Sequence, residues 1–175
     1  SATAPVTGTA AFSNPITVAG SGPDGLGALR YSGGVTQLNA FASVALSGDT
    51  AVYSASRFDV RSGVFDFGGH SLTVNGGGEF SISHSVVSNV TAATAIYVTN
   101  GVMRFEQSDF QGSSDNVADA ASGAGVCLFQ MTVPVMWSLQ LADDASFSAI
   151  DGGMNTNLNV WAGPVTLASG TARLT

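Results

Sequence analysis

Lysine is absent from the sequence, and charged residues of any kind are few. The 175 residues include five arginines against twelve aspartates and glutamates, which gives a formal net charge of −7 at pH 7. Proteins that bind nucleic acids or anionic membranes draw much of their affinity from Lys and Arg side chains. The composition therefore predicts neither nucleic acid nor an anionic membrane surface as a partner.

Cysteine is almost absent, and long apolar runs are missing. Cys127 is the single cysteine and cannot form an internal disulfide. It lies in the apolar run VCLFQM with no basic residue near it in sequence, so we interpret it as a buried apolar residue rather than a reactive thiol. The sequence contains no stretch of about 18 apolar residues, which is the length that would predict a transmembrane helix. The sequence begins without an initiator methionine or a signal peptide, and we expect it to be a mature protein or a segment of a longer chain.

Apolar side chains and glycine are plentiful. Hydrophobic residues make up 45% of the chain, 22 residues are glycine, and the mean hydropathy is +0.29. This composition is sufficient for one domain with a continuous core.

Many apolar residues recur in pairs two positions apart. An i, i+2 pair places both side chains on one face of a β-strand, whereas a helix face needs a spacing of three or four. Each pair therefore predicts a very short strand with one buried face. The clearest pairs are Phe58 and Val60, Phe65 and Phe67, Leu72 and Val74, and Phe80 and Ile82.

The spacing of these pairs predicts a solenoid. Successive pairs begin at residues 58, 65, 72 and 80, with Gly, Ser, Asn and Asp between them. Such short intervals favour tight bends over ordinary hairpins. We therefore predict an all-β solenoid with three short strands per turn of about 22 residues.

The same spacing extends over most of the chain. We predict a single β-helical segment over 1–175 that belongs to a longer polypeptide, with loops where the spacing slips at 84–95, 111–125 and 148–157. The predicted parts are a cap region at 1–34, regular turns at 35–110, an exposed loop at 111–125 and further turns at 126–175.

Three motifs resemble a known repeat family. They are GALRYSGG at 27–34, VALSGDT at 44–50 and DFGGHSLTVNGGG at 66–78. In this order they resemble the autotransporter-associated β-strand repeat of bacterial passenger domains, over about residues 20–83 and more weakly over 145–175, while 84–144 departs from it. The resemblance implies a right-handed parallel β-helix at the bacterial cell surface, associated with adhesion or surface architecture. It supplies no catalytic residues.

A few carboxylates and one arginine are candidates for carbohydrate chemistry. Asp59, Asp66 and Arg104 stand at the outward centres of apolar pairs, and whether they share one face depends on a register that the sequence leaves open. Glycoside hydrolysis needs two converging carboxylates, one with a raised pKa. Asp143 and Asp144 are adjacent, so in a strand they point to opposite faces, and we interpret them as part of a solvated turn.

The remaining motifs do not predict a cofactor or a metal. His70 and His84 are 14 residues apart and have no cysteine or carboxylate at ligand spacing. A formal G-x-G-x-x-G at 20–25 precedes no amphipathic helix, so we interpret it as a turn rather than a nucleotide site. Asn89 begins an N-glycan sequon, which matters only in a glycosylating host.

Two classes of function remain open from the sequence. The first is a structural and adhesive segment, extracellular or at the bacterial cell surface, whose polar face contacts a glycan or another surface molecule, with neighbouring repeats or self-association as further partners. The second is a carbohydrate-active enzyme module, a polysaccharide lyase or glycoside hydrolase, or an inactive remnant of one. Convergence of outward Asp, Glu and Arg side chains in one groove would favour the enzyme. We expect no enzyme activity, no cofactor and no metal.

Overall fold

The computed structural model describes residues 12–152, 158–168 and 170–175. It is all-β, with parallel strands stacked as a solenoid of about six turns and about 22 residues per turn. The predicted parallel β-helix and its period are therefore confirmed. The first eleven residues of the predicted cap and part of the slip at 148–157 lie outside the described residues. Nowhere in the described ranges is there a helix of the length and hydrophobicity needed to cross a bilayer.

Seventeen strands occur within these residues, and we number them in chain order. Most contain three to five residues, as expected for strands that end at closely spaced corners. Their bounds are β1 Ile16–Gly20, β2 Leu29–Tyr31, β3 Gln37–Phe41, β4 Val44–Ser54, β5 Phe58–Arg61, β6 Val64–Asp66, β7 Leu72–Asn75, β8 Glu79–Ser83, β9 Val86–Ser88, β10 Ala95–Val98, β11 Val102–Glu106, β12 Val117–Ala120, β13 Gly125–Phe129, β14 Ser138–Leu141, β15 Ser146–Ile150, β16 Val165–Leu167 and β17 Arg173–Leu174.

The described strands lie on three faces of the solenoid, and after β9 they alternate between the first two faces. Face 1 contains β2, the second half of β4, β7, β10, β12, β14 and β16. Face 2 contains β3, β5, β8, β11, β13, β15 and β17. Face 3 contains β1, the first half of β4, β6 and β9. The long strand β4 passes round a corner, because its start pairs with β6 and its end pairs with β7.

The core is built from inward side chains that stack in columns from turn to turn. On face 2, one such column contains Phe58, Phe80, Met103 and Val126, each in register with the next. The eight residues of the clearest predicted pairs are all fully buried, namely Phe58, Val60, Phe65, Phe67, Leu72, Val74, Phe80 and Ile82. This confirms the inward side of each predicted pair.

The segment 111–125 differs from the expected exposed loop. It contains β12, which pairs with β10 and β14 in unbroken register. The inward residues of β12 are Ala118 and Ala120, both fully buried. Alanine is too small to mark a buried strand by hydrophobicity, so the sequence pattern missed a regular part of the wall.

The corner between face 2 and face 3 has the same backbone conformation in successive turns. The residues that follow β5, β8, β11 and β13 are Ser62, His84, Gln107 and Gln130, and all four have positive φ angles between 44° and 64°. The amide of Gln107 donates to the side-chain oxygen of Gln130 at 3.0 Å, which links two neighbouring corners. This corner brings His84 alongside the outward side of face 2.

Candidate functional site

The predicted site residues divide between two faces. Asp59 and Arg104 both lie on the outer side of face 2, in one register column with Ser81 between them. Asp66 lies on β6 of face 3, where it accepts hydrogen bonds from the Asn89 amide at 2.9 and 3.0 Å. The structure therefore brings Asp59 and Arg104 together and separates Asp66 from them.

Asp59 and Arg104 belong to a larger group of charges on face 2, which we call the arginine cluster. The alternation of side chains in the short strands β5, β8 and β11 turns these charges outward, and the in-register pairing of the strands brings them together. The cluster consists of Arg57, Asp59, Arg61, Glu79, Arg104 and Glu106.

Arg57 joins three carboxylates in the cluster. Its Nε and Nη2 atoms donate to the two oxygens of Asp59, each at 2.9 Å, in a bidentate arrangement. Nη2 also donates to Glu106 Oε2 at 2.7 Å, and Nε lies 3.1 Å from Glu79 Oε1. Bidentate pairs of this kind are geometrically specific as well as strong.

Arg61 joins two of the same carboxylates from the other side. Its Nη2 atom donates to Asp59 Oδ2 at 2.6 Å and to Glu106 Oε1 at 2.9 Å. Because one nitrogen contacts both oxygens, Asp59 Oδ2 and Glu106 Oε1 are at most about 5.5 Å apart, and retaining glycosidases place their two carboxyl groups about 5–5.5 Å apart.

Arg104 completes the cluster toward the later turns. Its Nε lies 2.7 Å from Glu79 Oε1, and its Nη2 donates to Glu79 Oε2 at 2.9 Å. The guanidinium carbon lies 4.7 Å from the ring centre of Phe129, which adds a cation–π contact. Every arginine of the cluster is therefore neutralised by a carboxylate.

The pKa values of Asp59 and Glu106 are shifted in opposite directions. Asp59 is fully buried although it points outward, and this burial raises its pKa despite the two arginines that lower it. Burial also acts on Glu106, but a hydrogen bond from the Ser83 hydroxyl and the charges of Arg57 and Arg61 outweigh it, so the pKa of Glu106 is lowered.

Ser81 lies at the centre of the apolar pair Phe80 and Ile82, and its side chain points outward as that pair predicts. It is in register between Asp59 and Arg104 and is nevertheless fully buried. Arg57 and Arg104 are themselves only 19% and 12% exposed. Long arginine stems can cover neighbouring residues while their charged ends stay near water.

His84 lies at the edge of the arginine cluster. Its Nδ1 atom lies 2.8 Å from Ser83 Oγ, 3.1 Å from Arg61 Nη1 and 3.8 Å from Glu106 Oε1. Burial, followed by the positive charge of Arg61, lowers the pKa of His84. The serine hydroxyl lies between the imidazole and the carboxylate, whereas a catalytic triad places the imidazole between the other two groups.

Cys127 is buried, as predicted, and only 3% of it is exposed. It lies on the outward side of β13, in register between Arg104 and Ser148. Burial raises the pKa of its thiol, so the thiolate that reacts with oxidants or metals is disfavoured.

Face 1 presents a different kind of polar surface. One outward column crosses β7, β10, β12, β14 and β16, each residue in register with the next. Within the described part of the chain, none of these side chains makes a hydrogen bond or an ion pair. We call this column the tyrosine column, and its members are Thr73, Tyr97, Asp119, Gln140 and Thr166.

The remaining candidates lie in corners. Asp143 and Asp144 are exposed in the turn between β14 and β15, as predicted, where the Thr171 hydroxyl donates to Asp143 at 3.1 Å. His70 lies 3.9 Å from Asp49. In the portion of the chain that the structure describes, no three His, Cys, Asp or Glu residues are grouped as metal ligands would be.

Comparisons with known proteins provide no relative. A scan against protein-family models finds no match, and searches of curated proteins and of solved structures find none either. The resemblance to the autotransporter-associated repeat remains a prediction from the sequence.

Proposed function

We propose that this chain is a structural and adhesive β-helix segment of an autotransporter-like passenger, extracellular or at the bacterial cell surface, and that it holds a polar face against glycans or other surface molecules. The observation that carries this proposal is the contrast between two faces. The outward charges of face 2 are paired with one another. The side chains of the tyrosine column on face 1 are exposed or partly exposed, and they make no hydrogen bond or ion pair with another described residue.

The stack of turns suits a scaffold role. Each turn contacts only its neighbours, so side chains in one outward column repeat at the strand spacing of about 4.8 Å. A ligand with its own repeat can then contact several turns at once. Such repeated weak contacts raise the overall affinity without a deep pocket.

A glycan-array binding measurement, together with a polysaccharide-cleavage assay on the same preparation, tests the proposal. We expect binding to one or more glycans and no cleavage of them. Cleavage that follows the protein through purification would reject the scaffold role. Absence of binding to every glycan on the array would reject the adhesive role toward glycans.

The enzyme alternative is favoured by the convergence of outward Asp, Glu and Arg side chains in the arginine cluster, and within it by the proximity of Asp59 and Glu106. Their pKa values are shifted in opposite directions, as for a general acid and its partner carboxylate. Asp59, however, is fully buried and its two oxygens are bound by Arg57 and Arg61, so a sugar would have to displace both arginines to reach it. If the cleavage assay is positive, Glu106→Gln would abolish cleavage under this alternative.

A further inference from the structure

We propose that the tyrosine column of face 1 binds an uncharged polysaccharide that lies along the stack of turns. This inference rests on the proposed adhesive function and adds to it the face that makes contact and the class of ligand. It does not involve the arginine cluster.

The column is continuous over five strands. Tyr97 is in register with Thr73 on one side and with Asp119 on the other, and Asp119 is followed by Gln140 and Thr166. At about 4.8 Å per strand, the five side chains extend over about 19 Å. An extended polymer can therefore contact several of them at once, whereas a small molecule would contact only one or two.

The polar groups of the column are available for a ligand. Tyr97 is 43% exposed, and Gln140 and Thr166 are exposed as well. Thr73 and Asp119 are partly exposed, and none of the five side chains makes a hydrogen bond or an ion pair with another described residue. A hydroxyl-rich ligand could therefore hydrogen-bond to them without breaking contacts that hold the fold together, which is not true of the arginine cluster.

The charge of the column disfavours an acidic ligand. Asp119 is its single charged residue, and the column contains no cation to pair with a sulfate, phosphate or uronate group. The nearest face 1 arginine, Arg30, is three strands from Tyr97 and is already paired with Asp24. An acidic polysaccharide would meet a repelling carboxylate and no compensating charge.

The backbone in the middle of this face offers no site for strand addition. The strands β7, β10, β12 and β14 each pair with a neighbour on both sides. A peptide that adds as a β-strand needs a free edge, and the middle of this face offers none. Contacts have to come from side chains, as they would with a sugar chain.

Tyr97 is suited to stack on a sugar ring. Its in-register neighbours, Thr73 and Asp119, are small enough to leave the ring exposed, and Ala95 on the same strand is buried beside it. A tyrosine ring combines an apolar surface with a polar hydroxyl, and a pyranose likewise has an apolar C–H face and a polar edge. Tyr97 is therefore the residue whose loss should weaken binding most.

Affinity electrophoresis in gels that contain soluble polysaccharides tests this inference. The probes are a β-1,4-glucan derivative and a galactomannan as neutral chains, and polygalacturonate as an acidic chain. We expect a neutral chain to retard the wild-type protein. Tyr97→Ala should raise the dissociation constant about tenfold, whereas Tyr97→Phe should bind nearly as tightly as the wild-type protein. Phe129→Ala, which removes an outward ring from face 2, is the matched control and should leave retardation unchanged. Circular dichroism melts of each variant verify folding.

The outcomes separate this inference from the proposed function. If a neutral chain retards the protein, and Phe129→Ala weakens the retardation while Tyr97→Ala does not, the contact lies on another face. That result would overturn the inference, while the adhesive function would stand. Retardation by polygalacturonate alone would overturn the ligand class in the same way. If no polysaccharide retards the wild-type protein, both the inference and the glycan-binding function fail. If the wild-type protein sediments as a dimer and Tyr97→Ala sediments as a monomer, the column binds a second copy of the chain. That result would also overturn the inference.

Discussion

Arg57 is the residue on which the arginine cluster depends most. It binds both oxygens of Asp59 and also contacts Glu79 and Glu106, so its removal leaves a fully buried carboxylate with one cationic partner, Arg61. Burying a charge without a partner costs far more than an exposed ion pair contributes. The cluster therefore has a structural consequence whether or not it has a chemical one.

We expect Arg57→Met to lower the free energy of unfolding by about 3–5 kcal/mol, because Met keeps an apolar stem but leaves Asp59 under-compensated. Arg30→Met is the matched control, since Arg30 forms an exposed pair with Asp24 and exposed pairs contribute little. Urea denaturation of both variants measures the difference. Equal midpoints for the two variants would show that the cluster is not buried as described.

His84 should make the stability of the folded chain depend on pH near neutrality. Its pKa is lowered in the folded protein by burial and by Arg61, while the unfolded chain keeps the ordinary value of about 6.5. Below that pH the unfolded state binds more protons than the folded state, so stability decreases as the pH falls. The charged groups that face the imidazole are Arg61, Glu106 and, through Arg61, Asp59.

The test for His84 is the variant His84→Gln, which places at this corner the residue type found in the next two turns. Between pH 7.5 and 5.5 the melting temperature of the wild-type protein should fall by more than that of the variant. Asp59 and Glu106 are present in both proteins, so the difference between the two profiles isolates the imidazole. Parallel profiles would contradict the assigned direction of the pKa shift.

At the scale of elements, the recurring corner between faces 2 and 3 sets the path of the chain. Ser62, His84, Gln107 and Gln130 adopt left-handed backbone angles there, which L-residues other than Asn and Gly disfavour. The residue after Ser62 is Gly63, where a Cβ atom would approach the Ala42 carbonyl oxygen to 2.0 Å. The corner thus combines backbone strain with close contact to the preceding turn.

Ser62→Gly should raise the free energy of unfolding by about 0.5–1 kcal/mol, because the relief of left-handed strain exceeds the extra entropy of glycine in the unfolded chain. Ser88→Gly, in strand β9 where φ is not positive, should lower it by a similar amount. Thermal and urea melts of the two variants provide the comparison. Destabilisation by both substitutions to the same extent would argue against the left-handed corner.

The sequence predicted the strands with bulky inward residues and missed those without them. The bulky pairs from Phe58 to Ile82 indicate which side of each strand is buried. The inward residues of β12 are alanines, so its sequence resembles that of a loop. Outward charges in the run from Arg57 to Arg61 alternate with apolar residues, and this alternation is a local signal for a charged face. Their convergence with Glu79 and Glu106 requires the register between turns, which no local pattern supplies. The burial of Ser81 follows from that convergence and therefore could not be predicted from the sequence either.

On the scale of the whole molecule, parallel strands stack in about six turns, and the register between β7 and β16 on face 1 and between β5 and β17 on face 2 is continuous. This register places the paired charges on face 2 and the tyrosine column on face 1. A shift of the register by one residue would exchange the inward and outward side chains of a whole strand, because side chains alternate with a period of two. The proposed function and the assignment of a binding face both depend on this register.

Interstrand backbone nuclear Overhauser effects, measured on isotopically labelled protein, test that register most directly. We expect contacts on face 1 between Thr73 and Tyr97, between Tyr97 and Asp119, and between Asp119 and Gln140, with both residue numbers rising together along each pair of strands. Contacts in which one residue number rises as the other falls, as in antiparallel hairpins, would contradict the solenoid.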